Sequence, residues 1–217
     1  MQFLKSQKYF NLDPHDEEFW NALSHFLGIL MGIVGLILLL IYKRGGSPYG
    51  TWSILIYGFS IVLLYTASTS YHIVRQTRLK RILHIVDHIS IYLLIAGTYT
   101  PVALIILQDG SGWIIFWIVW GITIMGCLLK IFFTGRFEIL SLLLYLAMGW
   151  LIVFFYGELT QSISPENKLF FWLGGLFYTV GSLFYMLRKL PFNHFIWHLF
   201  VLAGSISHFL FIFFEVI

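Results

Sequence analysis

Hydrophobic positions along this chain come in seven long runs, at roughly residues 20–42, 50–74, 84–107, 113–133, 138–157, 168–188 and 194–216. A helix needs about 20 mostly apolar residues to cross the hydrocarbon layer, and each run meets or approaches that length. The polar breaks between them are short: KRGGSPYG, RQTRLKR, QDGSG, TGRFE, GELTQSISPENK and RKLPFN. Gly and Pro cluster in several, as turns require. The pattern predicts an all-α membrane protein with seven transmembrane helices. No low-complexity tract, convincing repeat or soluble domain interrupts it, so residues 1–217 read as one membrane domain. Residues 1–19 read as a cytoplasmic or interfacial N-terminal segment. The first helix should begin in DPHDEE. There Asp13 can cap, Pro14 suits the first helical position, and Asp16, Glu17 and Glu18 face the positive end of the helix dipole.

Composition agrees. With 59% hydrophobic and 11% charged residues, the chain lacks the charge a water-soluble domain needs to cover its surface. The first twenty residues lack the continuous apolar core of a secretory signal, and their several acids argue against a transit peptide. Cys127, the single cysteine, has no internal disulfide partner and reads as a packing residue. A formal charge of +3 is no nucleic-acid signal here, because what matters is where the bases fall relative to the spans. With the N-terminus inside, the inner segments hold Lys5, Lys8, Arg75, Arg78, Lys80, Arg81, Lys130, Arg136, Arg188 and Lys189. The outer side holds Lys43, Arg44 and Lys168. Ten against three predicts a cytoplasmic N-terminus and an outside C-terminus.

Ionisable side chains at membrane depth are costly and need a reason. Glu18, Asn21, Ser24 and His25 open the first helix, and Ser68 and His72 close the second. His84, Asp87 and His88 open the third, and His194 and His198 open the seventh. Under the derived orientation all of them lie at the cytoplasmic end, a coincidence that charge counting did not use. His194 and His198 are four residues apart and share a helix face, as do Ser68 and His72. Two His at that spacing can chelate one metal, and a third imidazole from another helix completes the set. Asp87 is the natural carboxylate, as a ligand, a hydrogen-bond partner of bound water or a general base. Glu18, Asn21 and His25 read as a helix start at the headgroups, His84 and His88 as headgroup contacts, and His208 as a buried hydrogen-bonding residue. The fifth helix, with only Glu158 near its outer end, reads as structural.

Four motifs, EFWNALSHFLG (18–28), SxxxH (68–72), DHISIYLLIAGTYTP (87–101) and HFIWHLFVLAGSISHF (194–209), occur in one order along the chain. Together they resemble the hemolysin III family, the bacterial branch of the progestin and adipoQ receptors that include the adiponectin receptors. That resemblance implies a seven-helix fold with an intracellular N-terminus, in a bacterial plasma membrane. It also implies a Zn²⁺ ion held by three histidines just inside the cytoplasmic surface. Carried over position by position, these are His72, His194 and His198. Asp87 matches the aspartate that holds the zinc-bound water, and Ser68 the serine beside it. The long soluble N-terminal extension of the eukaryotic receptors is lacking and the outer loops are short, so recognition of a large extracellular protein is not carried over.

Three functions follow as expectations. One is a Zn-dependent hydrolase of a membrane lipid amide or ester, ceramidase-like by resemblance. Three imidazoles leave a position for water, whose pKa zinc brings to about 7, and Asp87 would accept its proton with Ser68 assisting. A second is a membrane-perturbing, pore-forming cytolysin, as the family name says. A third is a receptor or sensor with a structural zinc. Three imidazoles and water also suit other transition metals.

Overall fold

The computed structural model describes residues 14–43 and 46–216. Seven of its helices are long and apolar enough to cross a membrane, and no strand occurs among the described residues. Helix α1 spans Pro14–Tyr42, α2 Gly50–Ile73, α3 Thr77–Pro101 and α4 Gly112–Phe133. The fifth span, α5, covers Glu138–Ser162, followed by α6 at Lys168–Met186 and α7 at Asn193–Val216. The predicted start of α1 at Pro14 matches, whereas the Asp13 cap lies outside the described residues, as do Lys5, Lys8 and Arg44 of the charge count.

Two span readings need correction. Helix α3 begins at Thr77, not near residue 84. The basic stretch TRLKR is polar but rich in strong helix formers, so hydropathy marks where α3 enters hydrocarbon and not where it starts. The fifth span is not one helix. It runs as Glu138–Gly149, a 3₁₀ segment Leu151–Phe155 and a last helix Tyr156–Ser162. A break at membrane depth frees backbone groups that must find partners. The Tyr99 hydroxyl of α3 supplies them: it donates to the Gly149 carbonyl at 2.9 Å and accepts from the Ile152 N–H at 3.1 Å. Helix α3 also departs from regularity, with Pro101 inside it and a π-turn at Val102–Ile106.

Neighbouring helices α1–α2, α2–α3 and α6–α7 pack along their lengths, α7 returns against α1, and α3 touches α2, α4, α5 and α7. In lipid there is no hydrophobic drive between helices, so close packing must replace it. Gly28 shows how: a Cβ there would run into the Tyr65 ring, and one at Gly174 would run into the His208 ring. The Ser205 hydroxyl meets Tyr65 at 2.8 Å and Tyr178 at 2.9 Å, tying α2, α6 and α7 together. Helix α3 is the most buried span and α6 the least. Between α3, α5, α6 and α7 an internal cavity remains.

Candidate metal centre and its cavity

Three helix ends converge at one end of the bundle. The C-terminal turn of α2 brings His72, and the first two turns of α7 bring His194 and His198. Each offers a ring nitrogen, and the three nitrogens lie within 4.8 Å of one another. Ring centroids are 5.2 Å apart for His72–His194, 5.0 Å for His72–His198 and 4.6 Å for His194–His198. The predicted ligand set is thus brought together. His72 and His198 are buried and His194 half-buried.

Hydrogen bonds fix which nitrogen two of the rings present. His72 Nδ1 donates to Glu18 Oε2 at 2.6 Å, and Glu18 Oε1 accepts from Lys80 Nζ at 3.0 Å. His72 Nε2 is left buried without a partner. His198 Nδ1 donates to the Asn21 carbonyl at 3.2 Å, with Ser24 Oγ at 3.4 Å, which leaves Nε2 as the nitrogen available to a metal. Glu17 anchors the start of α7 by accepting from the His194 N–H at 3.3 Å. A metal-ligating imidazole ordinarily donates its second N–H to a carboxylate or carbonyl, and both of these rings do. An orphaned imidazole nitrogen facing two further imidazoles fits a borderline-soft divalent cation such as zinc.

Sequence reasoning passed over Glu18 and the stripe it begins. Glu18, Asn21 and His25, read as a helix start at the headgroups, all turn toward the bundle. The signal was their i, i+3, i+7 spacing, which puts the three on one face of a helix that is mostly apolar beyond its first turn. His25 stacks on His198 at 3.5 Å with the planes 10° apart, and neither of its nitrogens has a partner among the described residues.

Asp87 and Ser68 open onto the cavity beside His25, His194 and His198. Asp87 stands outside the cluster of ligand nitrogens, with His88 Nδ1 3.9 Å from its Oδ2. His88, read as a headgroup contact, also faces the cavity, its Nδ1 held by the His84 carbonyl at 2.8 Å. His208 Nε2 meets the Phe171 carbonyl at 3.2 Å, the hydrogen-bonding role expected of it. The cavity measures about 1260 Å³ including its open mouth. Leu64, Ile91, Leu94, Leu142 and Val201 line it, together with Tyr145, Trp150, Trp197 and the buried Lys130. The wall contributed by α5 corrects the view of that span as merely structural.

Seven spans closing around a histidine trio at one end define a multi-pass membrane protein with an intramembrane site suited to a metal. The chain belongs to the haemolysin-III-related family, which it matches over residues 15–209. It is 43% identical over 194 residues to the Hemolysin-3 homolog of Bacillus subtilis (strain 168), covering 89% of this chain and 91% of that protein. To Hemolysin-3 of Bacillus cereus it is 41% identical over 202 residues, covering 93% and 92%. The human monocyte to macrophage differentiation factor shares 26% over 198 residues, covering 87% and 80%. With its bacterial relatives, the seven apolar helices place the protein in the plasma membrane.

Proposed function

We propose that the protein is a Zn²⁺-dependent hydrolase of a lipid amide or ester, with His72, His194 and His198 holding the metal. The observation that carries this reading is the trio's place beside an apolar cavity, whose wall includes His194 and His198 and also exposes Asp87 and Ser68. Bound there, zinc would supply Lewis acidity toward a carbonyl and an acidified water. The chain's own part is to orient and to move a proton. Glu18 and the Asn21 carbonyl fix the tautomers of His72 and His198, so their free lone pairs face inward. Asp87, free of the ligand cluster, takes the proton of an attacking water at its carboxylate and passes it to the leaving amine or alcohol. Ser68, 2% exposed, donates toward Asp87 or the substrate. Apolar walls hold an acyl chain and keep bulk water away from the carbonyl.

Purified protein should contain about one zinc per chain, and His72→Ala and His194→Ala should lose it. Asp87→Asn should keep the metal and the fold while hydrolysis in a lipid screen drops by at least the 10²–10⁴-fold typical of a lost general base. Loss of metal and thermal stability on Asp87→Asn would instead assign a structural zinc. Equal metal in the wild type and both histidine variants would end the reading. The names of the Bacillus relatives support a second reading, membrane lysis. A pore should present charged and ionisable residues through the whole thickness, whereas here most of those turned into the bundle gather at the histidine end. Lysis that persists in His194→Ala would separate that activity from the histidine site.

A further inference from the structure

Lys130 sits in the last turn of α4, where a lysine near a membrane surface ordinarily snorkels outward to water. It does not do so here. Its relative exposure is 2%, so the side chain is almost wholly enclosed by protein, and it lines the internal cavity. The ion pairs among the described residues are His72–Glu18, Lys80–Glu18, His88–Asp87 and Arg188–Glu138. None includes Lys130, although Asp87 and Glu138 line the same cavity. Glu138 is engaged by Arg188 across the α5–α6 seam. The carbonyls ending α4 favour a cation in that turn, yet a helix end offsets only part of a full charge. A largely buried ammonium without an ion-pair partner is costly, and it faces a space whose lining is mostly apolar and aromatic, with polar side chains such as Ser68, Asp87 and His88 among it.

We propose that Lys130 makes this cavity a binding site for an amphiphile with an anionic headgroup. The acyl chain lies along the apolar wall, and a carboxylate or phosphate meets the Lys130 ammonium. This deepens the hydrolase reading and rests on it: the scissile bond would belong to an acyl lipid that also carries a negative charge. The histidine trio then deals with the carbonyl and Lys130 with the charged group, two separate demands on one substrate. Neutral lipids of the same chain length would enter the cavity and leave this cation unanswered.

Four single-chain probes of matched length test it on the purified full chain in neutral detergent: oleate, an oleoyl lysophosphatidate, oleyl alcohol and monooleoylglycerol. Dissociation constants are measured for wild type, Lys130→Met, Lys130→Arg and His194→Ala. A charge-assisted contact inside a largely apolar cavity makes a difference on the order of tenfold or more. Wild type should hold at least one anionic probe that much tighter than the neutral pair. Comparing oleate with the lysophosphatidate identifies the anionic group. Lys130→Met should erase the preference while leaving the neutral probes and the metal content unchanged, and Lys130→Arg should retain it. Lys130→Gln replaces the Met variant if that one does not fold. An anionic preference that survives Lys130→Met, or that disappears in His194→Ala alone, overturns the proposal, since the metal site would then be the anion's partner. No anionic preference in wild type overturns it too. Each of these outcomes leaves the hydrolase reading to be judged by His72→Ala and Asp87→Asn.

Discussion

Glu18 shows how one side chain can serve an assignment that its own position in the sequence hides. A glutamate in the first turn of a helix is what the dipole favours, and nothing in that turn alone distinguishes a dipole partner from a support for a ligand. The distances do: 2.6 Å to His72 Nδ1 and 3.0 Å to Lys80 Nζ, with His72 Nε2 left bare. Glu18→Gln should weaken metal binding by about 10–100-fold, the usual cost of removing a ligand's supporting carboxylate, read by chelator competition. Lys80→Met should cost much less. Side-chain exposures of 30% for Lys80 and 40% for Glu18 mark a half-solvated pair, worth about 0.2–1 kcal/mol at most. Equal losses in the two variants would show that Glu18 acts through the charge pair and not through the imidazole. His72, His194 and His198 were legible because apolar neighbours make an imidazole conspicuous, and Glu18 was not because acids are common at helix starts.

At the scale of the element, hydropathy located seven spans and misplaced their ends and irregularities. It sees how long a run is apolar, but it cannot see a backbone break whose flanks are equally apolar, and LAMGWLIVFF offers no polar residue to mark one. What permits the break comes from α3, some fifty residues away in sequence. Tyr99 is nearly buried at 8% exposure, and its hydroxyl answers both Gly149 and Ile152. Tyr99→Phe should therefore destabilise the protein by about 1–3 kcal/mol, the cost of stranding buried backbone groups, as a lower thermal midpoint in detergent. Tyr145→Phe makes the control. The Tyr145 hydroxyl meets the His88 carbonyl at 3.0 Å, an oxygen already within the regular part of α3 and so not orphaned by the change. A smaller loss in Tyr145→Phe than in Tyr99→Phe is expected, and the opposite order would show that α5 does not depend on this bridge.

For the whole molecule, the cavity was invisible in sequence because no single element carries its pattern. It exists where α3, α5, α6 and α7 leave a gap between their contacts, and most of its wall uses ordinary apolar residues. The polarity of the bundle, by contrast, was readable. Arg75 follows the end of α2 that carries His72; Arg78, Lys80 and Arg81 lie in the first turns of α3 ahead of Asp87; and Arg188 and Lys189 precede the start of α7 that carries His194, so the basic end and the histidine end are one. We infer from the positive-inside rule that this end faces the cytoplasm. Two single-cysteine variants check it in a Cys127→Ala background: Gln76→Cys between α2 and α3, and Asp109→Cys between α3 and α4, both at exposed positions. A membrane-impermeant thiol reagent should modify Asp109→Cys in intact cells and Gln76→Cys only after permeabilisation. The reverse pattern would put the histidine trio under the outer leaflet, and any lipid substrate would then have to come from that side.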